Sequence, residues 1–398
     1  MPTLNRRQWL AMGALPWLAP FATGPVFAGT NGAGSVKLLA TWRDGTQERV
    51  GVVQVTANGT ELRSKVLQQL ELPGRAHGLL ARADGSVIVL ARRPGDWLLE
   101  WHPSGAAKKW HWLQGEKRLN GHAQTRDDGL LLTTETDQES GEGWIGLRDL
   151  TQDRVLAHWP SHGLDPHELL RLPQALGRFP AGTLMVANGG IPTHAETGRQ
   201  KLLATGMDAS LVAIDPANGR LLGQWRLPDE RLSIRHLAWD AVTRQLGIAL
   251  QAEHDDPAAR TQAPVLATWN GESLQAATHP PLAGYGGSIC ARAGGGFIVS
   301  CTRANRIAVF DGIGHYLAEA EGPEACALAS DGAQTWFGTK AGIARVDNST
   351  LAQRQDTLLG GSQVQIDNHW LLLRVLAPTI GSMAASHCPP VREQAPSG

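Results

Sequence analysis

The chain has 398 residues, of which 42% are hydrophobic and 18% charged, and this composition excludes a wholly disordered protein. Its 36 Lys and Arg residues nearly balance its 37 Asp and Glu residues, for a formal net charge of -1. That balance argues against proteins that bind nucleic acid or acidic membranes through an excess of positive charge.

The first 28 residues have the pattern of an export signal. Arg6 and Arg7 precede an uncharged apolar run that ends at Phe27, and Ala28 offers a small residue to a signal peptidase. Two adjacent arginines before a weakly apolar segment predict export through the twin-arginine translocase to the periplasm. Glycines and prolines interrupt the run, so we expect no stable membrane insertion. An ordinary secretory signal with a chance arginine pair is the alternative.

Residues 29–376 consist of repeats in which a strand and a tight turn precede a very apolar strand and two further strands. The predicted apolar second strands are Ser86–Ala91, Leu130–Thr134, Thr183–Ala187, Gln245–Leu250, Gly296–Cys301, Thr335–Gly338 and His369–Leu373. Seven such repeats predict an all-β protein, a seven-bladed β-propeller that forms one domain.

The two ends of this domain are predicted to share the last blade. Strands Val36–Trp42 and Val50–Val55 have no partners of their own, and the seventh repeat lacks its outer half. Pairing these two strands with a C-terminal hairpin closes the ring and removes the exposed sheet edges. Residues 377–398, which contain Pro389 and Pro390, are predicted to form a loosely ordered tail.

A histidine begins the predicted innermost strand in four consecutive repeats. These residues are His77, His122, His167 and His236. The corresponding positions of the other three repeats lie near Ser288, near Glu324 or Cys326, and near Ser362. Because innermost strands line the central channel, we expect the four imidazoles to converge at one mouth and to bind a transition metal such as iron or copper. Structural hydrogen bonds between strands are the alternative role.

Other polar side chains are predicted to surround the same mouth and to bind a metal complex or a small anionic ligand. They follow the second strands, flank the histidines, or lie in the unusually long connection at residues 189–209. They are Arg92, Glu135, Glu168, Asn188, His194, Arg199, Arg235, Gln251 and Arg303. The long connection predicts a lid or a pocket wall, with a solvated surface loop as the alternative.

The four cysteines do not form any Cys-x-x-Cys pair, which argues against a c-type haem site or a paired-cysteine zinc site. They are Cys290, Cys301, Cys326 and Cys388. In an exported protein they form disulfides or remain free thiols, and the sequence leaves both alternatives open.

Several ordered motifs resemble those of a family of uncharacterised proteobacterial proteins. They are Asp165-Pro166-His167-Glu168-Leu169, the run from Val186 to His194, Leu232 to Ala238, and Gly284-Tyr285-Gly286-Gly287-Ser288. That family carries a domain of unknown function, twin-arginine signals and a predicted propeller, and its genes tend to lie beside those of imelysin-like, iron-regulated periplasmic proteins. The resemblance implies a periplasmic role linked to iron or another metal, with an imelysin-like partner.

Three functional hypotheses follow from the sequence. The first is a periplasmic protein that binds a metal at the histidine-lined funnel and assists iron uptake. The second is a metal-dependent enzyme, an oxidoreductase or a hydrolase or lactonase, that uses the same funnel. The third is a protein–protein scaffold with structural histidines. The sequence assigns no catalytic residue, because it contains neither a Gly-x-Ser-x-Gly nor a His-Glu-x-x-His motif.

Overall fold

The computed structural model describes residues 35–58, 61–105, 107–193, 200–339, 342–348, 353–357 and 364–373. The predicted signal, residues 1–28, and the predicted tail, residues 377–398, lie outside the described residues. None of the helices in these ranges is long and apolar enough to cross a membrane. The described cysteines Cys290, Cys301 and Cys326 are free thiols, while Cys388 lies outside the described ranges.

The strands form seven four-stranded antiparallel sheets. In chain order they are β1 (Ser35–Asp44), β2 (Gln47–Asn58), β3 (Glu61–Glu71), β4 (Ala76–Ala81), β5 (Val87–Ala91), β6 (Trp97–Trp101), β7 (Lys108–Trp112), β8 (Lys117–Thr125), β9 (Leu131–Asp137), β10 (Glu142–Asp149), β11 (Arg154–Leu164), β12 (Pro166–Arg171), β13 (Leu184–Asn188), β14 (Ser210–Ile214), β15 (Leu221–Trp225), β16 (Leu232–Asp240), β17 (Gln245–Ala252), β18 (Leu266–Trp269), β19 (Leu274–Ala276), β20 (Gly286–Ala291), β21 (Phe297–Cys301), β22 (Arg306–Phe310), β23 (Tyr316–Glu321), β24 (Leu328–Ser330), β25 (Gln334–Thr339), β26 (Gly342–Asp347), β27 (Gln353–Thr357) and β28 (Val364–Leu373). Helix α1 spans Pro257–Gln262, and two short 3-10 turns span Leu203–Thr205 and Thr302–Ala304.

Each sheet is one blade of a seven-bladed β-propeller, as the repeats predict. Blades 1 to 6 take consecutive groups of four strands from β4–β7 to β24–β27, and the closing blade has the order β28-β1-β2-β3. The innermost strands β4, β8, β12, β16, β20, β24 and β28 contact one another in that order, and β28 returns to β4. The ring is therefore closed, and its centre is lined by these seven strands.

The closing blade confirms that the two chain ends join, but its composition differs from the prediction. Three N-terminal strands pair with one C-terminal strand, whereas two and two were expected. The polar strand β3 escaped prediction because its sequence, Glu61–Glu71, contains few apolar residues. As a consequence β28 is the innermost strand, and His369–Leu373 is part of it and is not a second strand.

Apolar side chains fill the spaces between neighbouring blades. Between blades 3 and 4, for example, Phe179, Trp225 and Trp269 form a group whose ring centroids lie 4.8 to 5.5 Å apart. Trp269 is fully buried. Such aromatic pairs add about 0.5–1.5 kcal/mol each beyond the effect of their buried area. The blades are thereby held at fixed positions around the channel, which is where the predicted histidines lie.

Candidate metal centre

β-Bulges in the innermost strands place five histidines in the central channel. The pairing of β4, β8 and β12 with their neighbours shifts register across His77, His122 and His167, and that of β16 shifts just before His236. The pairing of β28 with β1 shifts between Trp370 and Ile366, a stretch that contains His369. A bulge redirects the side chains of its strand, so each imidazole leaves its sheet and points toward the channel.

The five imidazoles form a closed ring of neighbours. Neighbouring ring centroids lie 4.3 to 4.9 Å apart in the order His369, His77, His122, His167 and His236. The ring is closed by His236 and His369, whose centroids are 4.9 Å apart. The four predicted histidines therefore converge, as expected. They lie inside the channel and are 5 to 7% exposed, so they do not line an open funnel.

Among the described residues, two groups of three histidines have the proximity that metal ligation requires. His122, His167 and His236 form the inner triad, and His77, His122 and His369 form the outer triad. Within each triad one candidate ligand atom per residue lies within 4.8 Å of the others. His122 belongs to both triads, so a change at this position affects both.

One pair of ring nitrogens already has the spacing of metal ligands. Nε2 of His167 and Nε2 of His236 are 3.3 Å apart. Zinc–imidazole bonds of about 2.0–2.1 Å in a tetrahedral site give nitrogen–nitrogen separations of about 3.3 Å. The second nitrogen of His236, Nδ1, lies 3.2 Å from Oε2 of Glu168. That carboxylate also accepts the main-chain N–H of Leu237, at 2.8 Å.

Glu168 thereby fixes how His236 faces the cluster. A carboxylate at Nδ1 favours the tautomer with the proton on that atom, and this leaves the lone pair on Nε2, directed at His167. Burial raises the pKa of Glu168, and its interaction with His122 and the hydrogen bond from the main-chain N–H of Leu237 oppose this rise. The side chain of Glu168 remains about a quarter exposed.

Four of the five imidazoles carry a buried ring nitrogen that has no hydrogen-bond partner among the described residues. These atoms are Nδ1 of His77, Nε2 of His122, Nδ1 of His167 and Nε2 of His369. Each buried polar atom without a partner costs about 1–3 kcal/mol, and native proteins hold few of them. In the described part of the chain the imidazoles of the cluster make two hydrogen bonds, between His167 and His236 and between His236 and Glu168, and these leave the four ring nitrogens without a partner.

The histidines of the cluster are neutral at pH 7. Burial lowers the pKa of His236 to about 3, with a further contribution from the charge of Arg235. Burial also holds the pKa values of His77, His122, His167 and His369 well below the usual range. Neutral imidazole is the form that ligates metals, so the cluster presents its nitrogens in the state that binding needs.

Close packing of two strands requires glycine beside His122. Gly121 has a φ of +103°, and a Cβ there would lie 2.6 Å from Cδ2 of His77. Both the backbone conformation and the contact exclude a larger residue without a shift of the imidazole. The predicted Gly121-His122 pair therefore brings β4 and β8 close enough for their histidines to touch.

Arg235 lies beside the cluster and is held by a buried carboxylate. Its Nη1 donates to Oδ2 of Asp165 at 2.6 Å, and Arg93 donates to the other oxygen of the same carboxylate. The close approach of Gly189, whose Cβ would lie 2.4 Å from Nη1 of Arg235, packs the start of the long connection onto this ion pair. Arg235 is 7% exposed, and Asp165 4%.

Two of the predicted ligand-binding residues turn into their blades, away from the channel mouth. Glu135 is fully buried, and its carboxylate accepts from Arg148 at 2.7 Å and lies 3.1 Å from His158. Those partners belong to β10 and β11, and both line a cleft of ≈ 340 Å³ between the outer strands of blades 1 and 2. Asn188 donates to the carbonyl of Ser161, on β11, at 3.0 Å. The alternation of side chains along a strand explains both directions.

The remaining predicted residues either have contacts within the described structure or lie outside the described residues. Gln251 pairs with Tyr285 in an isolated bridge, and the guanidinium of Arg303 lies 4.5 Å from the Tyr285 ring centroid. The charge of Arg92 contributes to lowering the pKa of His77, which places it near the cluster. His194 and Arg199, the predicted lid residues, lie outside the described residues.

The described part of the long connection is anchored to blade 4. Nζ of Lys201 lies 2.5 Å from a carboxylate oxygen of Glu253, which follows β17. Thr193 pairs with Lys201 in an isolated bridge. This end of the connection therefore lies against a blade that supplies a histidine to the cluster.

The sequence prediction missed the fifth histidine. His369 was assigned to a second strand, because the closing blade was expected to end in a hairpin. It contacts His77 more closely than any other pair in the ring, at 4.3 Å. Its neighbour Asp367 accepts two hydrogen bonds from Arg75, at 2.7 and 2.6 Å, and so joins β28 to the residue just before β4. The polar stretch Asp367-Asn368-His369, which precedes the apolar end of the strand from Trp370, was the sequence signal that could have placed this histidine in the channel.

The fold is similar to that of several solved structures. Hydrazine synthase of Kuenenia stuttgartiensis has a TM-score of 0.55 and 12% identity, over 78% of this chain and 94% of that chain. Virginiamycin B lyase of Staphylococcus aureus has a TM-score of 0.52 and 13% identity, over 72% and 85%. Apo AztD of Citrobacter koseri has a TM-score of 0.50 and 9% identity, over 86% and 98%. At such identities the likeness concerns the fold alone.

Sequence comparison identifies a family. No curated protein matches the sequence. A family described as "Protein of unknown function (DUF1513)" matches residues 70–373, which include all five histidines of the cluster. Since the match covers most of the chain, this protein belongs to the DUF1513 family of proteins of unknown function.

Proposed function

We propose that this protein binds a transition-metal ion in the centre of the propeller. The observation that carries the proposal is the 3.3 Å separation of the Nε2 atoms of His167 and His236 inside a cluster of five neutral histidines. Two ring nitrogens at ligand spacing, with further imidazoles at 4.8 Å or less, need only small side-chain movements and the loss of the proton between them to enclose an ion.

The donor atoms determine the class of ion. Both triads consist of imidazole nitrogens, without carboxylate or thiolate members. Calcium and magnesium prefer oxygen ligands, whereas imidazole suits zinc, copper, nickel and iron. Iron and copper are the ions that we propose for the cell, and zinc is a convenient probe because it has no redox chemistry.

We further propose that the protein acts in the periplasm as an accessory to iron uptake. Residues 1–28 support this location through their arginine pair, and the resemblance to a family encoded beside imelysin-like proteins supports that kind of partner. Replacing Arg6 and Arg7 by lysine is expected to retain the protein in the cytoplasm, as measured by cell fractionation. Normal export of this variant would contradict the twin-arginine route, and failure to co-purify an imelysin-like protein from periplasm would contradict the partner.

The metal proposal is tested on the purified full chain. Metal-free protein is titrated calorimetrically with Zn²⁺ and with Cu²⁺, and the metal content of periplasmic protein is measured. The double variant His122→Ala/His236→Ala removes the residue shared by the triads and one member of the close pair, and it is expected to abolish binding. His315→Ala, at an exposed histidine, is the matched control and should bind as the wild type does. Equal binding by the double variant would overturn the proposal.

A further inference from the structure

The two triads of the cluster differ in their access to solvent. All three histidines of the inner triad are buried, whereas the outer triad contains His369, which is only partly buried. His122 belongs to both triads. An ion that enters from solvent therefore reaches the outer triad first, and it moves to the inner triad by exchanging two ligands while His122 stays in place.

The two triads also differ in how well their ligands are arranged. In the inner triad, the Nε2 atoms of His167 and His236 are already 3.3 Å apart, and Glu168 holds His236 by its Nδ1. A carboxylate behind a ligating histidine fixes its orientation and raises its basicity, and loss of such a group typically lowers metal affinity about 10–100-fold. The main-chain N–H of Leu237 in turn fixes the carboxylate of Glu168.

Among the described residues, no carboxylate is hydrogen-bonded to a ring nitrogen of the outer triad. The one acidic residue on its three strands, Asp367, is engaged by two hydrogen bonds from Arg75. Among the described residues no hydrogen bond reaches the orphaned Nδ1 of His77 or the orphaned Nε2 of His369. Both triads have arginine side chains nearby, Arg75 and Arg92 beside His369 and Arg235 beside His167 and His236. The difference between the triads is therefore the carboxylate of Glu168, which lies 3.2 Å from Nδ1 of His236 and holds that ligand of the inner triad.

We infer that the cluster contains two overlapping metal positions: an outer one through which the ion passes and an inner one, reinforced by Glu168, where it rests. This inference rests on the proposed function, because it requires that the cluster binds metal. It assigns Glu168 as a positioning residue that acts through His236, and it assigns His369 to the path of the ion. No bond is formed or broken other than those between the ion and its nitrogens, and no redox step is involved.

The experiment compares rates with affinities. Metal-free wild type, His369→Gln, His236→Gln, Glu168→Gln and His315→Ala are mixed with Co²⁺ in a stopped-flow spectrometer, and the visible absorption of the bound ion reports its coordination. Equilibrium dissociation constants are measured by titration with the same ion. Glutamine keeps a polar side chain of similar length, and circular dichroism and thermal unfolding of the metal-free variants confirm that each one folds.

The two positions predict different effects. His369→Gln is expected to slow association of the ion about tenfold. It should slow dissociation by the same factor, because the ion leaves by the same path, so the dissociation constant is nearly unchanged. His236→Gln and Glu168→Gln are expected to raise the dissociation constant about 10–100-fold through faster dissociation. The final spectrum should change in His236→Gln but not in His369→Gln.

The outcomes separate the inference from the proposed function. If His369→Gln and His236→Gln weaken equilibrium binding to the same extent, the cluster is a single site and the two-position inference is wrong. The same holds if Glu168→Gln binds as the wild type does, or if neither histidine variant changes rate or affinity. If the wild type itself binds no Co²⁺, Zn²⁺ or Cu²⁺, the proposed function fails as well.

Discussion

Replacing Gly121 by alanine tests whether close packing of β4 and β8 builds the metal centre. A side chain at φ +103° strains the backbone, at a cost of about 1–3 kcal/mol. The new Cβ would also lie 2.6 Å from Cδ2 of His77. Carbon atoms in contact are normally about 3.5–4.0 Å apart, so the imidazole must move by about 1 Å. His122 follows in the same bulge and belongs to both triads, so both metal positions are distorted.

We expect Gly121→Ala to lower the unfolding temperature and to raise the dissociation constant for Zn²⁺ about 10–100-fold, as the loss of an orienting contact does. Isothermal titration of the metal-free protein measures the affinity, and differential scanning calorimetry measures the stability. Gly129→Ala is the matched control, since Gly129 also has a positive φ, +82°, but a Cβ there meets nothing within 4 Å. Equal Zn²⁺ affinities of the two variants would refute the packing argument, whatever their stabilities.

Four further predictions concern stability and reactivity. Glu135→Ala leaves Arg148 buried without its carboxylate, so chemical denaturation should show that the free energy of unfolding falls by about 3–5 kcal/mol. The Zn²⁺ affinity should stay unchanged, and a loss of metal binding would contradict the separation of Glu135 from the cluster. Burial by itself raises the pKa of Glu135, but the hydrogen bond from His158, the charge of Arg148 and the hydrogen bond from Thr133 lower it below its ordinary value of 4.5. The stabilisation that the ionised Glu135 contributes is therefore present above pH 4.5 and is lost as the pH falls through the lowered pKa. Unfolding free energies of wild type and Glu135→Ala, measured over a pH series, should accordingly converge in acid. Burial raises the pKa of Cys290 and Cys326 to about 11 and that of Cys301 to about 12, so few of these thiols are ionised at pH 8. In a Cys388→Ser background, iodoacetamide should therefore label the native protein slowly at pH 8. Rapid labelling would contradict the raised pKa values of these thiols. Zn²⁺ at one hundred times its dissociation constant should stabilise the folded protein by about 2.7 kcal/mol, and an unchanged unfolding temperature would show that the ion does not bind the folded ring.

The sequence predicted the architecture because each blade repeats the same apolar second strand. Strands such as Val87–Ala91 and Leu184–Asn188 are entirely buried, and their apolar runs are visible without any structure. The polar strand Glu61–Glu71 lacks this signal, since it is the outermost strand of the closing blade. Missing it shifted the assignment of the closing blade and concealed His369.

The candidate site could be predicted only in part, because side-chain direction depends on bulges. The spacing of His77, His122, His167 and His236 along the repeats indicated their convergence. Register shifts at these positions decide where each imidazole points, and no periodic pattern reveals them. Glu135 was placed at the mouth from its position after a second strand, but the alternation of side chains directs it to Arg148 inside the blade.

X-ray absorption of protein loaded with one equivalent of Zn²⁺ tests the central claim most directly. The account predicts a first shell with at least three imidazole nitrogens at about 2.0–2.1 Å, and loss of that shell in His122→Ala/His236→Ala. A shell composed of oxygen or sulfur, or an imidazole shell that persists in the double variant, would contradict the assignment of the metal to this cluster.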